Sequence, residues 1–446
     1  MMARKNAPLT RPLPRPEDGA WLPRPEDGAW LRRLLIFSDV HLTPHVRHGG
    51  PWLGYRRPEH SPDALLAHAV DTMVGTSLAD GAHLELVLAG DVFDLDAPPA
   101  DAPADVRTYA ACRSDAGAAR VMQALLDDHP RFVGALQRLL ATGGTVIVLP
   151  GNHDAQLALP LVRGVLRAAL VPPGAWPAPP RLAFRSWFHR PFGTRVLVEH
   201  GHQYDPLCVM SRLYGSREGA AGTLRLEDTV GSVGTHYGQA FFGLQNPHAA
   251  DPFDLSPEAQ KTLKECGRRA LTDANALACA VGAIRDLMLV PRRAEVDDRA
   301  AHAAATARPE RALGDGAWWL RSVGMETQSS PRELAVHQTL AAPKGDVSLL
   351  ARAAAKDARY GIDCEARQRD AMRALARLYG ANVVVMGHTH EPFVRRDGGV
   401  TFANSGSWTP ADPADPIRGT FTEIVLDGSR ELYTGLRRVR VDGRIE

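Results

Sequence analysis

Five short apolar runs, each of β-strand length and each leading into a small polar cluster, constrain this chain more than any other feature. Leu34-Leu35-Ile36-Phe37 leads to Asp39-Val40-His41, and Leu84 to Ala89 leads to Gly90-Asp91-Val92-Phe93-Asp94. Thr145 to Leu149 leads to Gly151-Asn152-His153-Asp154, and Thr194 to Val198 leads to His200-Gly201-His202. Asn382 to Met386 leads to Gly387-His388-Thr389-His390. A near-continuous apolar run marks a strand buried on both faces, as in α/β proteins. Helices are expected between the runs. Ser61-Pro62-Asp63 has the order N-cap, N1 proline and first-turn acid, with a helix running toward Leu78. Pro130 to Ala141 reads as a helix closed by Gly143-Gly144, and Ala371 to Tyr379 as an amphipathic one. Val400 to Ala403, Phe421 to Leu426 and Leu432 to Val441 complete the expected strands. Every polar cluster then sits at the carboxyl end of a strand, where open α/β sheets bind their ligands.

The chain has 446 residues, enough for a large core and a further domain. Residues 1–30 read as a disordered tail, because 13–21 and 22–30 repeat one Pro- and Gly-rich nonapeptide in tandem. Residues 31–203 and 366–446 carry the five clusters and form the two parts of one core. Residues 204–365 are rich in Ala, Arg and Pro, with helical stretches at Lys261 to Leu289 and Val347 to Arg359. They are too long for a connection and read as an inserted helical cap. A second expanded loop runs from Asp96 to Asp115. Both insertions leave from strand ends that carry polar clusters, where they can line a pocket.

The formal net charge of +1 gives no field that would gather nucleic acid or an anionic membrane. Five scattered cysteines form neither a disulfide framework nor a zinc knuckle, and Cys208 reads as a packing residue. With no signal-peptide pattern and no apolar run long enough to span a bilayer, a cytoplasmic protein is expected. Oligomeric state is not readable from the chain.

Singly, each cluster has an ordinary explanation: an Asp after a strand caps a turn, and Gly-Asn tolerates left-handed backbone. Together they do not. Six of the 17 histidines fall in four of the clusters, and turn chemistry needs no histidine there. Carboxylate, amide oxygen and imidazole suit a hard-to-borderline divalent metal, and Asp91 could bridge two.

In this order and spacing the clusters resemble the signature of the calcineurin-like metallophosphoesterases: D-x-H, G-D-x-x-D, G-N-H-D, G-H and G-H-x-H. Asn404-Ser405-Gly406-Ser407 is similar to the loop that follows the last motif in that family. The resemblance implies a β-sandwich of mixed sheets flanked by helices, here with the inserted cap. It implies a two-metal site in which Asp39, His41 and His390 hold one ion. Asn152, His200 and His388 hold the other, with Asp91 between them. Two ions roughly 3.5–4 Å apart acidify a bridging water and stabilise the attacking and leaving oxygens of an in-line displacement. Mn, Fe, Zn, Ni and Co all suit such a donor set. His153 matches a histidine that ligates neither ion and serves the leaving group, oriented by Asp154. Asp94, His202 and Asn404 are implied behind the ligands or at the substrate, with Asp94 holding His41.

Departures narrow the family. Protein Ser/Thr phosphatases have Arg-Gly after the second motif, whereas Leu95-Asp96 stands here. Purple acid phosphatases place a tyrosine where this chain has Asp94. The chain is distantly similar to bacterial UDP-diacylglucosamine pyrophosphatases, which are shorter and show His-Gly-Asp in place of His200-Gly201-His202. The expected activity is metal-dependent hydrolysis of a small phosphorylated substrate, an ester or a pyrophosphate. A metal-dependent nuclease or nucleotide phosphodiesterase is the alternative, the nuclease disfavoured by the charge balance. A non-catalytic binding module of the same fold is the alternative of another class, disfavoured because no ligand is substituted.

Overall fold

In a computed structural model of the chain, the described residues are 31–45, 58–95, 115–171, 181–205 without 186, 208, 216–218, 224–226, 340, 364–409 and 415–446. The tandem repeat, the Asp96 to Asp115 loop up to residue 114 and most of residues 204–365 lie outside them. So do the two helices expected in that insertion.

Strands β1 (Leu31–Phe37), β2 (His83–Ala89), β3 (Thr145–Leu149) and β4 (Arg181–Phe184) run parallel side by side. Strands β12 (Ile417–Asp427) and β13 (Arg430–Arg440) add antiparallel on the β1 edge, giving the order β13-β12-β1-β2-β3-β4. A second sheet has the order β10-β11-β9-β6-β5. Its strands are β5 (Phe188–His189), β6 (Val196–Glu199), β9 (Val383–Met386), β10 (Phe393–Asp397) and β11 (Val400–Asn404). Both sheets are mixed. A hairpin of β7 (Ser216–Glu218) and β8 (Leu224–Leu226) lies inside the segment expected to be helical.

The two-residue period of a strand divides the core into layers. Leu35, Phe37, Leu86, Leu88, Val146 and Val148 face helices α1 (Asp63–Asp80), α2 (Asp115–Asp128), α3 (Pro130–Ala141) and α4 (Pro160–Leu170). Leu34, Ile36, Val87, Ala89, Ile147 and Leu149 face the other sheet and meet Val196, Val198, Val383 and Val385. Leu197, Val384 and Met386 point outward against Met372 and Leu375 of α5 (Cys364–Tyr379). Each layer is closed on both sides, which is why the runs read as continuously apolar.

Helix ends follow local chemistry. Helix α1 stops at Gly81, whose φ of 66° lets the Ala82 amide reach the Ser77 carbonyl at 2.8 Å. Asp63, expected to serve its own helix, caps α3 instead, taking the Phe132 amide at 2.8 Å. Polar groups buried between the sheets are paired: Glu85 accepts from Arg32 at 3.1 Å and from His189 at 2.7 Å. No described helix is long and apolar enough to cross a membrane.

Candidate metal centre

The loops after β1, β2 and β3 come from one sheet, and those after β6 and β9 from the other. Backbone hydrogen bonds bind them at one end of the sandwich. The Asp39 amide donates to the Gly90 carbonyl at 3.1 Å, and the Val40 and His41 amides both reach the Asp91 carbonyl at 2.9 Å. The Gly387 amide on the His200 carbonyl at 2.9 Å joins the β9 and β6 loops, and the Trp408 amide on that of Asp39 at 3.1 Å ties the two sheets. Side chains join in. Asp39 Oδ2 takes the His388 amide at 2.9 Å, and Asp91 Oδ1 takes the His153 amide at 2.8 Å.

Asp39, His41, Asp91, His388 and His390 have φ between 52° and 72°, and they are the non-glycine residues with positive φ among those described. Left-handed backbone costs a non-glycine residue roughly 1 kcal/mol or more and persists where its surroundings impose it. The strained residues are the candidate ligands. Two glycines permit the crowding: a β-carbon at Gly90 would stand 2.5 Å from His200 Cγ, and one at Gly151 would overlap the Asp91 carboxylate.

The ligand atoms fall into groups. Asp39, His41 and His390 offer atoms that all lie within 4.8 Å of one another, as do Asp91, His200 and His388. In the first group His390 Nε2 is 3.3 Å from both Asp39 Oδ1 and His41 Nε2. In the second, His200 Nε2 is 3.1 Å from Asp91 Oδ2, while His200 Nδ1 donates to the Ala89 carbonyl at 2.9 Å. That second bond leaves Nε2 as the lone-pair nitrogen. Asn152 is buried beside these groups, in the loop after β3.

Burial would raise the carboxyl of Asp39, but the positive charges of His200 and His390 overcome it and hold it at about 2. Asp91 is likewise held well below the ordinary value, by His200 and His153 against burial. Burial would lower His200, yet Asp91 and Asp39 outweigh it and lift the imidazole to about 9. His41, with burial and His153 both acting against its cation, falls to about 4. Without an ion the carboxylates are thus balanced by a proton on His200, which binding of a cation would displace.

Two side chains play parts other than those expected of them. Asp154 does not orient the neighbouring imidazole: its Oδ1 takes the Gly151 amide at 2.5 Å, and its Oδ2 the Val92 and Phe93 amides at 3.0 and 3.3 Å. It braces the β2 and β3 loops against each other, and burial with Asp91 nearby pushes its carboxyl up to about 7. The carboxylate beside His153 is that of Asp94, whose Oδ1 is 3.4 Å from His153 Nδ1. Asp94, His41 and His153 form a further group within 4.8 Å, so Asp94 faces both rings rather than His41 alone.

His202 is buried behind the ligands, its ring 5.3 Å from that of His200 and its Nε2 accepting from the Gln203 amide at 2.8 Å. Asn404 supports the last loop, donating to the Gly387 carbonyl at 2.8 Å and the Thr389 hydroxyl at 3.0 Å, and accepting from the Gly406 amide at 2.9 Å. Gln368 of α5 and Asp205 were not anticipated. Gln368 donates to the Gly387 carbonyl at 2.9 Å, and Asp205 Oδ2 lies 3.1 Å from His388 Nε2. Asp205 stands three residues after His202, so its proximity to a cluster was the available signal. Arg395 and Arg396 are exposed on β10.

The donor set fits divalent ions. Asp39 Oδ1 and His200 Nε2 are buried, make no hydrogen bond, and each points at another ligand-type atom. Buried polar atoms left so are rare unless an ion or water completes them.

No curated protein matches the chain. Among solved structures, a single mutant of Vps29 from Entamoeba histolytica is similar at 26% identity and a TM-score of 0.15, covering 18% of this chain and 43% of that one. Wild-type Vps29 of the same organism, complexed with zinc, is similar at 25% identity and a TM-score of 0.14, over the same shares of 18% and 43%. The sulfate thiohydrolase SoxB from Thermus thermophilus is similar at 13% identity and a TM-score of 0.26, covering 94% of this chain and 58% of that one. This chain therefore spans under half of the Vps29 chains and under two thirds of SoxB. The family model of the calcineurin-like phosphoesterase superfamily domain matches residues 337–427, from within the expected insertion to the end of β12. Over those residues, which hold the last of the five motifs, the chain is similar to the calcineurin-like phosphoesterase superfamily.

Proposed function

We propose that this chain is a dinuclear metal-dependent hydrolase of a phosphate ester or pyrophosphate in a small substrate. One observation carries the reading: two ligand groups, Asp39–His41–His390 and Asp91–His200–His388, are locked to each other through the Asp39 carboxylate on the His388 amide. Asp39, His41 and His390 would hold one ion, and Asn152, His200 and His388 the other, with Asp91 shared. When bound, two divalent ions acidify water and neutralise charge on phosphoryl oxygens.

The chain's own residues do the rest. Asp91 lends its Oδ1 to the His153 amide, so the loop that carries His153 is set by the same residue that joins the ion sites. With Asp94 against Nδ1 of His153, Nε2 is the nitrogen assigned to donate a proton to a leaving oxygen. Asp154 fixes the backbone on which both stand. Mn, Fe, Zn, Ni and Co are the candidate ions.

The test is hydrolysis of bis(4-nitrophenyl) phosphate and 4-nitrophenyl phosphate by the chain reconstituted with each of these metals. Turnover that EDTA abolishes and metal restores is expected. Absence of turnover with all of them, in a chain that binds two ions, would leave only the binding-module reading.

A further inference from the structure

We infer that Asp205 is a positioning residue for His388, holding the imidazole in the tautomer that presents Nδ1 to the second ion. The inference rests on the dinuclear reading above. Asp205 Oδ2 lies 3.1 Å from His388 Nε2. A carboxylate only accepts, so the proton is on Nε2 and the lone pair is on Nδ1. His200 in the same group is arranged the same way with its nitrogens exchanged, Nδ1 tied to the Ala89 carbonyl and Nε2 facing Asp91. Both imidazoles of the group thus have one nitrogen engaged from outside the group.

The turn that carries Asp205 is built to be rigid. The short 3-10 helix His202–Tyr204 sets it, and the Asp205 amide returns to the His202 carbonyl at 3.2 Å. The Cys208 amide closes the following turn on the Asp205 carbonyl at 3.0 Å. Tyr204 is buried, and its hydroxyl donates to Glu199, 3.0 Å from both carboxylate oxygens; Trp187 Nε1 donates to the same carboxylate. This buried Glu199–Trp187–Tyr204 cluster lies outside the ligand groups. Its effect is to fix the residue next to Asp205 on β6, the strand that also supplies His200. Asp205 therefore couples the His388 ring of the β9 loop to the β6 loop, so that the two histidines of one ion site move as a unit.

The experiment uses the full chain and Mn²⁺ alone, titrated calorimetrically into the metal-free protein, together with ¹⁵N-histidine NMR of that protein. Asp205→Asn and Asp205→Ala are expected to weaken one of two Mn²⁺ sites by about 10- to 100-fold and leave the other unchanged. Asp205→Glu should recover part of the loss. In the metal-free chain the His388 signal, assigned through His388→Gln, should show the Nε2–H tautomer and lose that preference in Asp205→Ala. Unaltered circular dichroism of the metal-free variants separates this from unfolding. Two sites of wild-type affinity in both Asp205→Asn and Asp205→Ala would overturn the proposal. If the unaltered chain takes up no Mn²⁺, the dinuclear reading falls and the positioning role with it. The NMR result would then show separately whether the Asp205–His388 contact stands.

Discussion

Replacing Asn404 by alanine should destabilise the chain by about 2–4 kcal/mol, although the residue touches neither candidate ion site directly. Asn404 is fully buried, and its amide bonds four partners: the Gly387 carbonyl, the Thr389 hydroxyl and the Gly406 amide at 2.8 to 3.0 Å, and Gln368 Oε1 at 3.4 Å. In the variant the Gly406 N–H loses its acceptor in a closed site, at a cost of about 1–3 kcal/mol. The Gly387 carbonyl keeps the Gln368 donor at 2.9 Å, so its loss is nearer the net worth of one hydrogen bond, about 1 kcal/mol. Because the two amides share that carbonyl, Gln368→Ala combined with Asn404→Ala should cost more than the sum, by about 0.5–3 kcal/mol. Urea unfolding monitored by fluorescence would read these as shifts in midpoint at constant slope. The loop between them carries His388 and His390, so Mn²⁺ affinity should fall along with stability. A change within about 0.5 kcal/mol for Asn404→Ala, or an additive cycle, would refute the view that this amide network holds the last loop.

Glu85 supplies a pH test away from the candidate metal centre. Burial opposes its ionisation, yet His189 and Arg32 hold its carboxyl at about 2, below an ordinary 4.5. Burial lowers His189 in turn, against the pull of Glu85. A depressed carboxyl stabilises the fold above pH 4.5, and that stability drains away as pH falls toward 2. The difference in unfolding free energy between wild type and Glu85→Gln should shrink across that window, by about 3 kcal/mol at most; a difference constant with pH would refute the assignment. Gly90→Ala should displace His200 and cost one Mn²⁺ ion per chain, read by elemental analysis, because its β-carbon would stand 2.5 Å from His200 Cγ. Gly75→Ala, in α1 with nothing within 4 Å, should instead raise the urea midpoint, by roughly 0.5–1 kcal/mol in stability. Asp94→Asn should reduce turnover of 4-nitrophenyl phosphate while metal content holds, whereas Asp154→Ala should lower stability first, since three backbone amides lose their acceptor. The reverse pattern would restore Asp154 as the partner of His153.

The strands were legible because their burial on two sides leaves a plain mark. Thr145 to Leu149 is β3 to the residue, and Asn382 to Met386 contains β9. Strands β4, β5 and β10 were not read from the chain. The first two are short, and β10 carries Arg395, Arg396 and Asp397 on an exposed edge, so no apolar alternation advertises it. Periodicity also could not say which runs share a sheet, since a strand between two sheets and one between a sheet and helices have the same pattern. Only the family resemblance implied a sandwich. The ligand types were legible as a set at strand ends, but their supports were not. Asp205 meets His388 across 183 positions of chain. That Asp94, not Asp154, lies beside His153 shows the opposite error: neighbours in sequence at a tight turn point apart, so adjacency to His153 was no guide to contact.

The clasp between Asp39 and the His388 amide joins residues 349 positions apart, and β1 lies between β2 and β12. During synthesis the first candidate ligands emerge long before their partners. A nascent chain that has reached β6 holds Asp39, His41, Asp91, Asn152 and His200, but neither histidine of the last motif. It also lacks β12, the strand that flanks β1. The candidate centre can therefore close only after the β9 loop and β12 have emerged, and fragments ended before them would carry several candidate ligands without a closed centre. Assembly of the sandwich thus precedes closure of the candidate centre.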